Sequence, residues 1–87
     1  MTQKVKVTNK EMLHLIAVAL NKSSSFPGAK VGVNSTKQEL EIYLDSGTKF
    51  TIPVYGDKLY YHFYLPDNNI GTIKKTKLLK ISTSEAN

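Results

Sequence analysis

Three aromatic rings alternate along one short segment of the chain, at Tyr60, His62 and Tyr64. Side chains two residues apart lie on the same face of an extended strand. The sequence therefore predicts a strand, Leu59–Leu65, that presents all three rings together. Flat rings at this spacing suit stacking against nucleic-acid bases, which contributes about 1 to 3 kcal/mol per base and tolerates any base sequence. The structural alternative is that tyrosine is a common strand residue on a half-covered sheet face.

The chain has twelve lysines and no arginine, so lysine supplies every strongly basic side chain. A lysine is a mobile point charge suited to phosphate, whereas the arginine fork usually reads guanine. The composition thus favours contacts to phosphates without sequence specificity. The alternative is that lysines protect an exposed sheet edge from aggregation. The lysines predicted to contact phosphates beside the aromatic strand are Lys58, Lys74, Lys75, Lys77 and Lys80, and Lys4, Lys6 and Lys10 are candidates to extend the patch.

The length of 87 residues predicts one domain, 1–87, with a modest core. The formal net charge of +5 favours a polyanionic partner, either a nucleic acid or an acidic protein surface. Without cysteine the chain has neither disulfides nor thiolate metal ligands, which fits a reducing, cytoplasmic location. The most apolar run, Met12–Leu20, is shorter than the roughly 20 residues that span a bilayer. Abundant Lys, Asn, Ile and Thr also suggests an AT-rich source, such as a low-GC bacterium or its phage.

The first part of the chain predicts an arm followed by a helix. Residues 1–7 form a short strand or arm, because Val5 and Val7 alternate with lysines. Thr8 and Glu11 have the spacing of a capping box, so a helix is predicted over 9–21. Its apolar stripe is wide, which predicts burial on more than one side and favours either a central core helix or a subunit interface in a homo-oligomer.

The remainder of the chain alternates with a period of two and predicts strands over 29–82, followed by a tail at 83–87. Short turns between them require antiparallel neighbours. Pro53 cannot donate to a sheet ladder, so it predicts an edge position or a bend. The fold class expected is α+β, with one N-terminal helix packed on a five- or six-stranded antiparallel meander or small bent barrel. The predicted strands are Ala29–Val33, Glu39–Leu44, Lys49–Val54, Leu59–Leu65, Gly71–Lys75 and Leu78–Ser82.

Two segments carry a resemblance to a known family. After the helix come Ile42-Tyr-Leu-Asp-Ser-Gly-Thr-Lys-Phe50 and, later, Ile73-Lys-Lys-Thr-Lys-Leu-Leu-Lys-Ile81. This arrangement resembles the Sm/Hfq pattern over about Glu39–Thr83. The resemblance implies a bent five-stranded barrel whose rings bind single-stranded RNA.

The same resemblance implies roles for particular residues of this chain. Gly47 matches the turn glycine of the family's first motif. Tyr43 falls near the base-stacking position, and Lys74 and Lys75 fall near the RNA-contacting loop.

No pattern in the chain predicts catalysis, a cofactor or a metal. His14 and His62 lack metal-ligand spacing, and no phosphate-cradling glycine loop or nucleophile elbow occurs. The prediction is a small, basic, non-enzymatic protein that binds nucleic acid and favours single strands. The alternative is a non-enzymatic adaptor or inhibitor, of phage or mobile-element origin, whose tyrosine face binds an acidic protein.

Overall fold

The structure, a computed structural model, describes residues 3–24, 26–66 and 69–83 and has α+β architecture. The predicted fold class, a helix packed on antiparallel strands, is confirmed. The strands belong to two antiparallel sheets, one ordered β1-β5-β6-β7 and the other β2-β3-β4. The elements are β1 (Val5–Lys6), α1 (Lys10–Lys22), β2 (Ala29–Asn34), β3 (Glu39–Leu44), β4 (Lys49–Ile52), β5 (Val54–Gly56), β6 (Tyr60–Tyr64), β7 (Ile70–Lys74) and α2 (Lys75–Thr83).

The predicted strand Lys49–Val54 is divided between the two sheets at Pro53. β4 pairs with β3 as far as Ile52, and β5 pairs with β1 from Tyr55 onward. Pro53 lies where the strand exchanges one partner for another, so its missing N–H leaves no ladder bond unmade. Ile52 and Val54 are both fully buried, which shows that the inward and outward alternation continues through the proline.

Helix α1 is capped by Asn9, and the capping box predicted at Thr8 is wrong. Asn9 has an extended backbone, and its Oδ1 accepts the N–H of Met12 at 2.9 Å. Asn9 satisfies a free amide at the helix start in the same way that a threonine cap would. Helix α1 contacts β2 and β3 of the three-stranded sheet and also contacts α2, which follows the last strand of the four-stranded sheet. Its buried residues are Leu13, Ile16, Ala17, Ala19 and Leu20.

The predicted strand Leu78–Ser82 is wrong, because these residues belong to helix α2. Leu78 is buried and Ile81 packs against the core, whereas Leu79 is 61% exposed. Apolar residues three apart share one face of a helix, so this spacing fits α2 and not a strand. Thr83, predicted to begin the tail, ends α2, and 84–87 lie outside the described residues.

The core lies between α1 and the inner faces of the two sheets. Leu59, the first residue of the predicted aromatic strand, is 56% exposed because it precedes β6 in the turn. No described helix is both long enough and apolar enough to cross a membrane. The buried core residues outside α1 are Val31, Leu40, Ile42, Ile52, Val54, Tyr61, Phe63 and Leu78.

Candidate nucleic-acid interface

The outer face of the four-stranded sheet collects most of the exposed and half-exposed aromatic side chains of that sheet. In the register, His62 lies between Tyr55 and Thr72 on the neighbouring strands. Directly opposed residues project to the same side of a sheet, and so do residues two apart along a strand. We call this surface the aromatic face. It comprises Tyr55, Tyr60, His62, Tyr64, Ile70, Thr72 and Lys74.

The rings on the aromatic face differ in how open they are. Tyr60 is the most exposed at 38%, Tyr55 and Tyr64 are half-buried, and the His62 side chain is more deeply buried. Tyr55 and Tyr64 meet edge to face, with ring centroids 5.1 Å apart and planes at 80°. The Tyr60 and His62 centroids are 6.4 Å apart. The face therefore has an open ring at Tyr60 beside a tyrosine pair whose packing fixes the rotamers.

Asp57 fixes the turn that leads into this face. Its Oδ1 accepts the backbone N–H groups of Leu59 at 2.9 Å and Tyr60 at 2.7 Å. Its Oδ2 lies 2.8 Å from Nε2 of His62, whose side chain is only 12% exposed. The hydrogen bond with His62, followed by those from Tyr60 and Leu59, lowers the pKa of Asp57 to about 2. Asp57 is thus held ionised, and it orients both the turn and the His62 ring.

Lysines lie at both edges of the aromatic face. At one edge, Lys4 Nζ is 5.9 Å from the ring centroid of Tyr64 and 3.5 Å from its hydroxyl. Lys6, on β1, is opposite Tyr55 and forms an ion pair with Glu39 at 3.3 Å. At the other edge, Lys74 on β7 is opposite Tyr60.

The remaining predicted lysines are distributed elsewhere. Lys58 is exposed in the turn between β5 and β6. Lys75 turns to the inner side, where its Nζ is 5.0 Å from the ring centroid of Tyr61. Lys77 lines a groove with inner-face residues, and Lys80 is an exposed residue of α2. The structure therefore brings together Tyr60, His62, Tyr64 and Lys74 of the predicted set, and the helical form of α2 separates Lys77 and Lys80 from them.

Sequence reasoning missed two members of this site. Tyr55 lies one residue beyond the predicted end of its strand, and continuing the alternation through Pro53 would have placed it outward. Asp57 lies in the turn three residues before Tyr60, a position from which an aspartate commonly accepts backbone N–H groups.

The outer face of the three-stranded sheet is different in character. Tyr43, 41% exposed, lies between Lys30 and Lys49 in the register. Its hydroxyl donates to the Glu41 carboxylate, which lowers the pKa of Glu41 and raises that of Tyr43. The Tyr43 ring lies over Gly32, where an added Cβ would be 3.2 Å from Cε2. This face thus offers one tyrosine that is already bonded to a carboxylate.

The turn before β4 contains Gly47, the glycine that the Sm/Hfq resemblance matches to the family's first motif. Its φ of +94° is in the left-handed region that favours glycine.

Among the residues that the structure describes, no cluster of three or more His, Asp or Glu side chains is placed to hold a metal. Comparison with known protein families, curated proteins and solved structures found no match for this chain.

Proposed function

We propose that this protein binds single-stranded nucleic acid, without sequence specificity, on the aromatic face of the four-stranded sheet. The observation that carries the proposal is the outward alignment of Tyr55, Tyr60, His62 and Tyr64, flanked by lysines on both sides. Its predicted location is the cytoplasm.

The arrangement suits a single strand better than a duplex. Bases of a single strand can turn out and stack on an open ring, whereas bases inside a duplex stack on one another. Tyr60 offers the open ring, and the Tyr55–Tyr64 pair offers a rigid neighbour. The absence of arginine removes the usual bidentate contact to guanine, which favours binding without sequence preference.

The lysines are placed to hold the backbone on either side of the rings. β1 and β7 are separated by three strand spacings, or about 14 Å. A nucleic-acid strand that crosses the aromatic face meets Lys4 and Lys6 at one edge and Lys74 at the other. Each phosphate neutralised releases condensed counterions, so binding should weaken steeply as salt rises.

The test is fluorescence anisotropy with labelled single-stranded RNA, single-stranded DNA and duplex DNA at two salt concentrations. The double variant Tyr60→Ala/Tyr64→Ala should weaken binding by about 30-fold, because two stacked bases at about 1 kcal/mol each contribute about 2 kcal/mol. The matched variant Tyr43→Ala removes an equally exposed tyrosine from the other sheet and should leave binding unchanged. A folded double variant that binds as well as the wild type would refute the proposal.

The same experiment separates the proposal from the Sm/Hfq resemblance, which also implies binding to single-stranded RNA. If the resemblance identifies the binding surface, Tyr43→Ala is the variant that loses affinity. The lysines add a second criterion. Lys4→Gln and Lys74→Gln should each reduce the salt slope by about 0.7 for single strands, whereas Lys80→Gln should not change it.

A second candidate function uses the same surface for a protein partner. Exposed tyrosine is also typical of protein interfaces, and an acidic surface would complement the lysines beside it. In this alternative the protein is a non-enzymatic adaptor or inhibitor. Affinity capture with and without nuclease distinguishes the two, since a single protein partner that survives nuclease treatment favours the second candidate.

A further inference from the structure

The two sheets differ in how their long edge strands are closed. The edge of β2 is blocked by the side chain of Asn21, which extends from the end of α1. Its Nδ2 donates to the Val31 carbonyl at 2.9 Å, and its Oδ1 accepts the Val31 N–H at 2.9 Å. Asn21 thus occupies the N–H and the carbonyl that Val31, near the middle of β2, would otherwise offer to another strand. β7, with five residues, is the longest described edge strand without such a block.

The backbone of β7 exposes a regular set of hydrogen-bonding groups. The N–H of Leu65 donates to Asn69 and the N–H of Lys75 donates to Leu59, which fixes the alternation of the β6–β7 ladder. Ile70, Thr72 and Lys74 therefore turn their N–H groups toward the free edge. All three side chains are exposed, and none of the described strands pairs with this edge.

This edge is complementary to itself. When two copies of β7 lie antiparallel about a twofold axis at Thr72, Thr72 faces Thr72 and each Ile70 faces Lys74 of the second copy. No like charges oppose each other, and threonine pairs across strands are favourable. On the inner side, Gly71 faces Ile73 of the second copy, so a residue without a side chain meets a large one. The outward N–H and carbonyl groups of the two Thr72 residues also pair reciprocally in this register.

We propose that two copies of this chain associate through β7 in this register to form a continuous eight-stranded sheet. A twofold axis perpendicular to the sheet places both aromatic faces on the same surface. The two β6 strands are then three strand spacings apart, or about 14 Å. If the proposed function holds, one single strand of nucleic acid can contact both faces.

The test is sedimentation equilibrium of the full chain, without nucleic acid, from micromolar to millimolar protein. The mass should rise from 9.7 kDa to twice that value. Thr72→Pro removes an N–H that only the free edge uses, and proline is tolerated where a strand's N–H faces solvent. This variant should stay folded by circular dichroism and remain monomeric, whereas the matched variant Thr72→Val keeps the N–H and should dimerise.

Charge variants of Ile70 test the register itself. Ile70 is 57% exposed, so substitution there should not unfold the chain. Ile70→Lys places two like-charged pairs across the proposed interface and should weaken dimerisation by about tenfold. Ile70→Glu places opposite charges there and should strengthen dimerisation.

Two results would overturn the pairing. One is a wild-type protein that stays monomeric at millimolar concentration, and the other is a folded Thr72→Pro variant that dimerises as the wild type does. Neither depends on nucleic acid. A monomer that binds oligonucleotides would refute the pairing alone, and a dimer of this register that binds none would refute the proposed function alone.

Discussion

Asn21 should make a larger contribution to stability than its exposed position at the end of α1 suggests. Its side chain makes two hydrogen bonds of 2.9 Å to the backbone of Val31, a buried residue of β2. At a net contribution of about 1 kcal/mol each, Asn21→Ala removes about 2 kcal/mol. The higher helix propensity of alanine returns about 0.5 kcal/mol. The free energy of unfolding should therefore fall by about 1.5 kcal/mol.

Asn21→Asp is a sharper form of the same perturbation. It preserves the size of the side chain and the oxygen that accepts the Val31 N–H. It replaces the Nδ2 donor with an oxygen facing the Val31 carbonyl, and at neutral pH an ordinary aspartate is ionised. The loss should equal or exceed that of the alanine variant, since a repulsive contact replaces a hydrogen bond.

The assay is urea denaturation followed by circular dichroism, with midpoint and slope fitted separately. His14→Ala, on an exposed position of the same helix, provides the control for helix propensity. If the free energies of unfolding of Asn21→Ala and His14→Ala differ by less than about 0.5 kcal/mol, the usual scatter of surface substitutions, Asn21 does not have this role. Because Asn21→Ala also frees the edge of β2, it should aggregate more readily than the control.

Three further predictions use the same denaturation assay. Asn9→Ala should lower the free energy of unfolding by about 1 kcal/mol, whereas Thr8→Ala should lower it by less than about 0.5 kcal/mol. A larger loss for Thr8→Ala than for Asn9→Ala would show that Thr8 is the N-cap residue. Leu78→Ala should cost about 2 to 5 kcal/mol while Leu79→Ala costs little, and equal costs would contradict the packing of α2. The folded pKa of Asp57, about 2, lies below its ordinary value of 3.8, so its stabilisation is present above about pH 4 and is lost as pH falls through 2. The stability difference between wild type and Asp57→Asn should accordingly shrink as the pH falls from about 4 to 2. A difference that does not change across that window would contradict this role of Asp57.

The strands were predictable where alternation had no competing pattern. Glu39–Leu44 has the predicted bounds, and Pro53, predicted to mark an edge position or a bend, lies where the strand is divided between the two sheets. Helix α2 was missed because its leucines and lysines fit both periods over a short segment. Alternation suggested a strand, whereas the spacing of Leu78 and Ile81 fits one helix face. Packing against α1 favours the helix, and the local sequence of this segment does not reveal that contact.

The candidate site divides in a similar way. Local alternation alone was enough to put Tyr60, His62 and Tyr64 on one face. The contribution of Lys4 depends on the pairing of β1 with β5, which joins residues about fifty positions apart. Spacing along the chain carries no information about such pairing, because it depends on how the whole chain buries its apolar residues.

The distribution of carboxylates explains why we propose that a polyanion binds to the four-stranded sheet and not to the three-stranded sheet. Glu39 and Glu41 alternate on the outer side of β3, and the hydrogen bond from Tyr43 lowers the pKa of Glu41, which favours its charged form. Phosphates approaching Tyr43 would meet this charge. At the aromatic face the nearby carboxylates already have partners: Asp57 is bonded to His62 and to two backbone N–H groups, and Glu39 is paired with Lys6. Lysines and open ring surface therefore remain accessible together on the four-stranded sheet. A variant that adds a carboxylate to this sheet, such as Thr72→Glu, should weaken oligonucleotide binding, measured by fluorescence anisotropy. The loss should be larger than that caused by Thr51→Glu, which adds a carboxylate to the other sheet.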